Sequence, residues 1–189
     1  FGNRLGAITV SSATDVSVGT VLVPAAMRAA SFTQSAGTGT TLFSSTADLT
    51  NQFAFTGNNL TMNGVGSNIK GTTMTVTNAG LFTTANGVNI STGGAFTQNG
   101  AGLNSLGGNI TTTDDVISFA TGVTLTNGIL MNTVSVGGGN NITFSSTIDG
   151  PQTLGLTAGT GNIVFGGVVG ATRLGAITIT SANNVTAVA

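Results

Sequence analysis

Apolar and hydroxyl-bearing residues alternate along most of this chain. Residues 73–77 (Thr-Met-Thr-Val-Thr), 123–126, 142–145 and 177–180 each place an apolar side chain at every second position. A period of two is the signature of a strand with one buried and one solvated face. Between such runs stand Asn63-Gly64, Asn86-Gly87, Gly107-Gly108, Asn127-Gly128 and Gly137-Gly138-Gly139, residues that accept the positive φ of tight turns. Helix signals are nearly absent. Only residues 24–34, with Ala25, Ala26, Met27, Ala29 and Ala30, have a composition that would wind a short helical turn or cap an excursion. The pattern predicts an all-β protein built from many short strands.

Two repeats organise those strands. Residues 4–13 (Arg-Leu-Gly-Ala-Ile-Thr-Val-Ser-Ser-Ala) return as 173–182 (Arg-Leu-Gly-Ala-Ile-Thr-Ile-Thr-Ser-Ala), eight of ten identical at an offset of 169. A shorter period lies inside the long one. Asn-Ile pairs begin at Asn68, Asn89, Asn109, Asn141 and Asn162, at successive spacings of 21, 20, 32 and 21. A rung of about 20 residues that closes on itself and stacks on the next at about 4.8 Å is a β-solenoid. The expected fold is therefore a right-handed parallel β-helix, with a β-sandwich of short hairpin strands as its alternative. On that reading, residues 1–169 are one long repeat unit of about 8 rungs, on the order of 40 Å of fibre. Residues 170–189 open the next unit, and the chain reads as a segment of a longer one. The wide interval between Ile110 and Ile142 is expected to hold a long rung or an outward loop.

Composition narrows the chemistry. Thr is the commonest residue and Gly (30) the next, and Asn and Ser add to them, so the polar character comes from uncharged groups. Only 5% of the chain is charged, four Lys or Arg against five Asp, and there is no His, Cys, Trp or Tyr. Most side chains that build acid–base, phosphate and metal sites are missing, which argues against an enzyme and against any cofactor. Arg4, Arg28, Lys70 and Arg173 are scattered singly, so nucleic acid and anionic lipid are not expected partners. The most apolar stretch, residues 18–27, is broken by Gly19, Thr20 and Pro24 and is too short to insert as a membrane helix. The lack of Cys fits a chain exported unfolded through an oxidising compartment.

Each remaining candidate site has a plainer reading. Asp114-Asp115 is the only pair of carboxylates and is expected to form a solvated turn. Calcium-binding rolls need Gly-Gly-x-Gly-x-Asp, and residues 137–141 lack the Asp. The Asn-x-Ser/Thr sequons at Asn59, Asn89, Asn109, Asn141 and Asn184 are as many as chance provides. Thr-x-Thr runs such as Thr73/Thr75 and Thr124/Thr126 raise an ice-binding face, but their spacing is irregular. A carbohydrate-binding or carbohydrate-cleaving helix would need aromatic platforms or clustered acids. The residues best assigned a role are structural. Asn68, Asn89, Asn109, Asn141 and Asn162 are expected to stack as an amide ladder at a turn, and Phe119, Phe144 and Phe165 as an interior aromatic column.

Residues 139–150 (Gly-Asn-Asn-Ile-Thr-Phe-Ser-Ser-Thr-Ile-Asp-Gly), 161–167 and 174–179 resemble the repeats of filamentous-haemagglutinin-like giant bacterial surface proteins, exoproteins of the two-partner-secretion and autotransporter type. The likeness is good over residues 109–189 and extends to 1–108 only in style. It implies a right-handed parallel β-helix, secretion to the cell surface and a role in adhesion or extracellular structure. The implied partners are adjacent repeats or copies of the chain itself end to end, and a host or neighbouring cell surface. A second expectation, from another class, is the subunit of a self-assembling extracellular filament.

Overall fold

The computed structural model describes residues 3–19, 26–64 and 68–188, with backbone alone for 68–70. Among them there is no helix, and every strand pairing is parallel, the arrangement of a β-solenoid of about eight turns. The sandwich alternative, which needs antiparallel hairpins, does not apply.

From Ala47 to Asp149 each turn contributes three strands. Face one stacks Ala47–Leu49, Asn68–Gly71, Asn89–Thr92, Ile110–Thr111, Ile129–Asn132, Leu154–Thr157 and Ile177–Ser181. Face two stacks Phe53–Gly57, Met74–Asn78, Phe96–Gln98, Ile117–Phe119, Ile142–Phe144, Ile163–Phe165 and Val185–Ala187. Face three stacks Val16–Val18, Thr40–Phe43, Asn59–Met62, Phe82–Thr84, Asn104–Leu106, Val123–Leu125 and Ile148–Asp149. Near the start, Met27–Gln34 runs across the corner between faces one and two and lies on Leu5–Val10, which joins those faces into one sheet.

The register gives the length of each turn. Along one inward column of face two stand Ile8, Phe32, Phe53, Met74, Phe96, Ile117, Ile142, Ile163 and Val185, each paired to the next. The steps between them are uneven, longest from Ile117 to Ile142, and on average a little longer than the Asn-Ile spacing suggests. Corners absorb the differences. Gly108 approaches the Val88 carbonyl so closely that a Cβ would collide with it, and Gly150 turns with φ +111°.

Alternation decides which side chains meet inside. Phe32, Phe53, Met74, Phe96, Ile117, Ile142 and Ile163 are buried in one column of face two, while the outward positions beside them carry Thr33, Thr75, Thr97, Ser118 and Thr143. Burying whole Phe, Ile and Leu side chains at about 1.5–3 kcal/mol each is the main stabilising term. Backbone hydrogen bonds from turn to turn keep the peptide groups satisfied.

One local expectation is corrected. The Ala-rich stretch expected to wind a helical turn is an eight-residue strand over Met27–Gln34, while residues 24 and 25 lie outside those described. It is paired along both edges and buries Ala29, Phe32 and Gln34, and such a ladder outweighs the modest helix propensity of Ala.

Candidate functional site

The five carboxylates come first, because any catalytic or metal chemistry would need them. Asp15 accepts the Thr40 N–H at 2.8 Å, and Asp149 accepts the Thr172 N–H at 2.9 Å. Asp115 accepts the N–H of its own neighbour Val116 at 2.8 Å. Asp48 binds Arg4 at 2.9 Å and Arg28 at 3.3 Å. The hydrogen bond from Arg4 is the largest influence on the Asp48 carboxyl and outweighs desolvation, leaving it below its ordinary value. All five therefore hold turns or a surface ion pair. The described residues contain no group of three or more His, Cys, Asp or Glu that could hold a metal.

Asp114 makes the most elaborate of these contacts. Its φ of 54° lies in the left-handed region, which Asp tolerates better than most residues. From there its carboxylate accepts the N–H groups of Ser135 at 2.8 Å, Gly137 at 2.5 Å and Gly139 at 2.9 Å, all one turn further on. Desolvation pushes this carboxyl up. The N–H groups of Gly137, Ser135, Gly139 and Gly138 outweigh it and hold it below the ordinary carboxylate value. The glycine run thus wraps a carboxylate with donors, an anion-binding geometry opposite in sign to a calcium site. The same excursion, residues 133–140, lies within the longest turn and carries Val136 fully into solvent.

The five Asn of the Asn-Ile pairs do not form one ladder. Asn89 and Asn109 stand on face one with the backbone of Asn68, whose side chain lies outside the described residues; Asn141 and Asn162 stand on face two. Much of the wide interval between Ile110 and Ile142 therefore reflects a change of face, and only the rest a long turn with an outward loop. Asn109 and Asn141 bind backbone N–H groups one turn on, whereas Asn162 takes the side-chain amides of Asn183 and Asn184. Asn109 Oδ1 accepts the Leu130 N–H and Asn141 Oδ1 the Asn162 N–H, each at 2.8 Å. Asn162 Oδ1 accepts from the Asn183 amide at 3.1 Å. Asn59 on face three does what Asn109 does, accepting the Leu81 N–H at 2.8 Å. It stands outside the Asn-Ile pattern because Leu60, not Ile, follows it.

Phe119, Phe144 and Phe165 lie in one inward column, with centroids 5.8 and 5.7 Å apart and rings parallel within 4° and 3°. Phe96 continues the aromatic contact at 5.2 Å, and Phe32, Phe43 and Phe53 form a second cluster near the N-terminal end.

Several buried polar groups had no counterpart among the sequence expectations. Gln98, 1% exposed, occupies an inward position that is Val76 one turn earlier and Phe119 one turn later. Its Nε2 donates to Asn78 Oδ1 at 2.8 Å and to the Gly100 carbonyl at 2.9 Å, while its Oε1 accepts from Ala120 N and Thr121 Oγ1, both at 3.2 Å. Asn104 joins through Thr121 and the Gly122 carbonyl, each at 3.1 Å, with its own Oδ1 left unpartnered. The network pins a corner across successive turns.

Open depressions mark the outer surface of the described residues. One of about 470 Å³ on face one is lined by Asn109, Leu130, Thr153, Gly155 and Thr178 and carries no charged group. Outward hydroxyl columns are interrupted, for example by Ala54 and Val164 on face two. Among the described residues no helix is long and apolar enough to cross a membrane.

The two ends of the solenoid are different. Leu5–Val10 and Val16–Val18 bound one end, and Ile177–Ser181 and Val185–Ala187 the other, each paired along one edge only among the described residues. Ile177, Ile179 and Val185 are 41%, 38% and 50% exposed although they occupy inward positions. At these ends, strand edges without a partner among the described residues lie beside part-exposed apolar side chains. No protein-family model matches the chain, and neither curated proteins nor solved structures gave a match.

Proposed function

We propose that this chain is a non-enzymatic structural segment of a giant secreted, adhesin-like bacterial surface protein, in which stacked solenoid units form a shaft that carries an adhesive element away from the cell. The observation that carries the reading is the β-solenoid fold together with the return of residues 4–13 as residues 173–182. A solenoid unit needs a capping turn or another unit at each end. The commitment of all five carboxylates to turns and a surface ion pair supports a mechanical role. So does the filamentous-haemagglutinin-like character of residues 139–150 and 161–167.

The shaft works through continuous backbone hydrogen bonding and a dry interior, which resist proteolysis and bending. The unpaired strand edges equally favour a second reading, a filament of separate subunits joined end to end.

Antibodies raised against the chain test both. On intact cells of the producing organism they should label extended surface material, and on a denaturing gel they should detect one very long polypeptide. A single small band with surface labelling would favour the subunit filament. Labelling only after permeabilisation would overturn both.

A further inference from the structure

The repeated opening segment occupies two different settings. Carried on at the same offset of 169, Val16 stands opposite Val185 and Ser17 opposite Thr186, Val16 being the one identity over residues 14–20. In both copies the isoleucine column points inward, yet the faces differ. Ile8 lies on face two beside Phe32, whereas Ile177 lies on face one beside Leu154. Val16 lies on face three beside Thr41, whereas Val185 lies on face two beside Ile163. The second copy sits one face early throughout. The register shows why: Ile8 to Ile163 is seven complete turns, and the chain then passes Val169 on face three to reach Ile177 on face one. The repeat spans seven and two-thirds turns.

The first copy also shows what covers this segment. Met27–Gln34 pairs along Leu5–Val10, with Ile8 against Phe32 and Val10 against Gln34. Thr40–Phe43 pairs along Val16–Val18, and Arg4 reaches Asp48. The second copy presents the same edge uncovered. Ile177, Ile179 and Val185 are part-exposed, and Arg173, the counterpart of Arg4, makes no hydrogen bond or ion pair with another described residue.

We propose that the edge of residues 173–188 is the seat for residues 27–48 of a following unit of the same sequence, and that each unit is consequently turned by one face relative to the unit before it. This rests on the reading as a structural shaft and adds its geometry. Lateral features such as the Val136 excursion then point in three directions in turn. They return to the same side only after three units, 23 turns, about 110 Å at roughly 4.8 Å per turn. The shaft has no single decorated side.

The test is a two-unit chain, the full sequence followed by a second copy of residues 21–189, which keeps the native offset. With no native Cys, engineered pairs report cleanly. Thr178→Cys combined with Thr33→Cys in the appended copy recreates the Thr9 and Thr33 pairing of the first unit. Thr178→Cys combined with Val164→Cys in the first copy reports the pairing that units in phase would require. Mild oxidation should cross-link the first pair at least ten-fold more than the second, and equal or reversed yields would overturn the proposal. A structure of the unsubstituted two-unit chain gives an answer independent of the Cys variants. The two excursions should lie a third of a turn apart. A straight double-length rod with both on one side overturns this inference and leaves the shaft reading standing, whereas two separately tumbling bodies overturn the shaft reading itself.

Discussion

Replacing Phe144 tests the idea that ring-on-ring stacking, and not apolar area alone, holds successive turns together. Phe144 is 1% exposed and is sandwiched between Phe119 and Phe165 at 5.8 and 5.7 Å with nearly parallel rings. Phe144→Ala removes the whole side chain from a packed column and should cost about 3–5 kcal/mol. Phe144→Leu keeps most of the apolar burial but loses both ring contacts, each about 0.5–1.5 kcal/mol, for a total of about 1–3 kcal/mol. Urea unfolding followed by far-UV circular dichroism measures both. Thr143→Ser, an outward change on the same strand, serves as the control and should stay within about 0.5 kcal/mol. A double-mutant cycle of Phe119→Leu with Phe144→Leu should show coupling of about 0.5–1.5 kcal/mol. Amide exchange should quicken first at turns adjoining Phe144, because each turn contacts only its neighbours. A Phe144→Leu cost no greater than the control, with no coupling in the cycle, would show that stacking does not hold these turns together.

Three further outcomes are expected. Because the Asp114 carboxyl is held below its ordinary value, its contribution is complete above the unfolded carboxylate value, near pH 3.9, and is lost as pH falls through the lower folded value; exchange protection of the Ser135, Gly137 and Gly139 amides should hold from pH 8 to 5 and collapse in strong acid, and a loss already at pH 6 would contradict this. Gly108→Ala should destabilise by about 1–3 kcal/mol in thermal or urea melts, since the added Cβ meets the Val88 carbonyl, and a neutral result would mean that the corner yields freely. Asn109→Ala and Asn59→Ala should each cost about 0.5–1.5 kcal/mol and expose the Leu130 and Leu81 amides to faster exchange, which equal exchange in variant and parent would refute.

Much of the architecture was legible because strand alternation is local. Thr73 to Thr77 and Ile142 to Ser145 announced inward and outward positions that the structure keeps. Gln98 broke the rule visibly, a long polar residue in a position that apolar residues fill in the turns before and after. Nothing in the residue order said that Asn78, Asn104 and Thr121 would gather round it, because these groups are brought together only by stacking one turn on the next. Asp114 is similar: its three donors belong to the following turn, and their meeting depends on where the intervening corners fall.

That this chain builds stacked strands with a Phe-, Ile- and Leu-rich interior follows from residue order alone, because side-chain direction in a strand depends only on odd or even position. The long repeat at an offset of 169 follows from it too. Which face each strand occupies is settled only in the assembled solenoid. Most turns divide into three strands joined by corners, and a corner gains or loses a residue without disturbing the alternation on either side of it. Such small additions leave no mark on a local pattern, yet summed over seven turns they place Ile8 and Ile177, the same residue in the same repeat, on different faces.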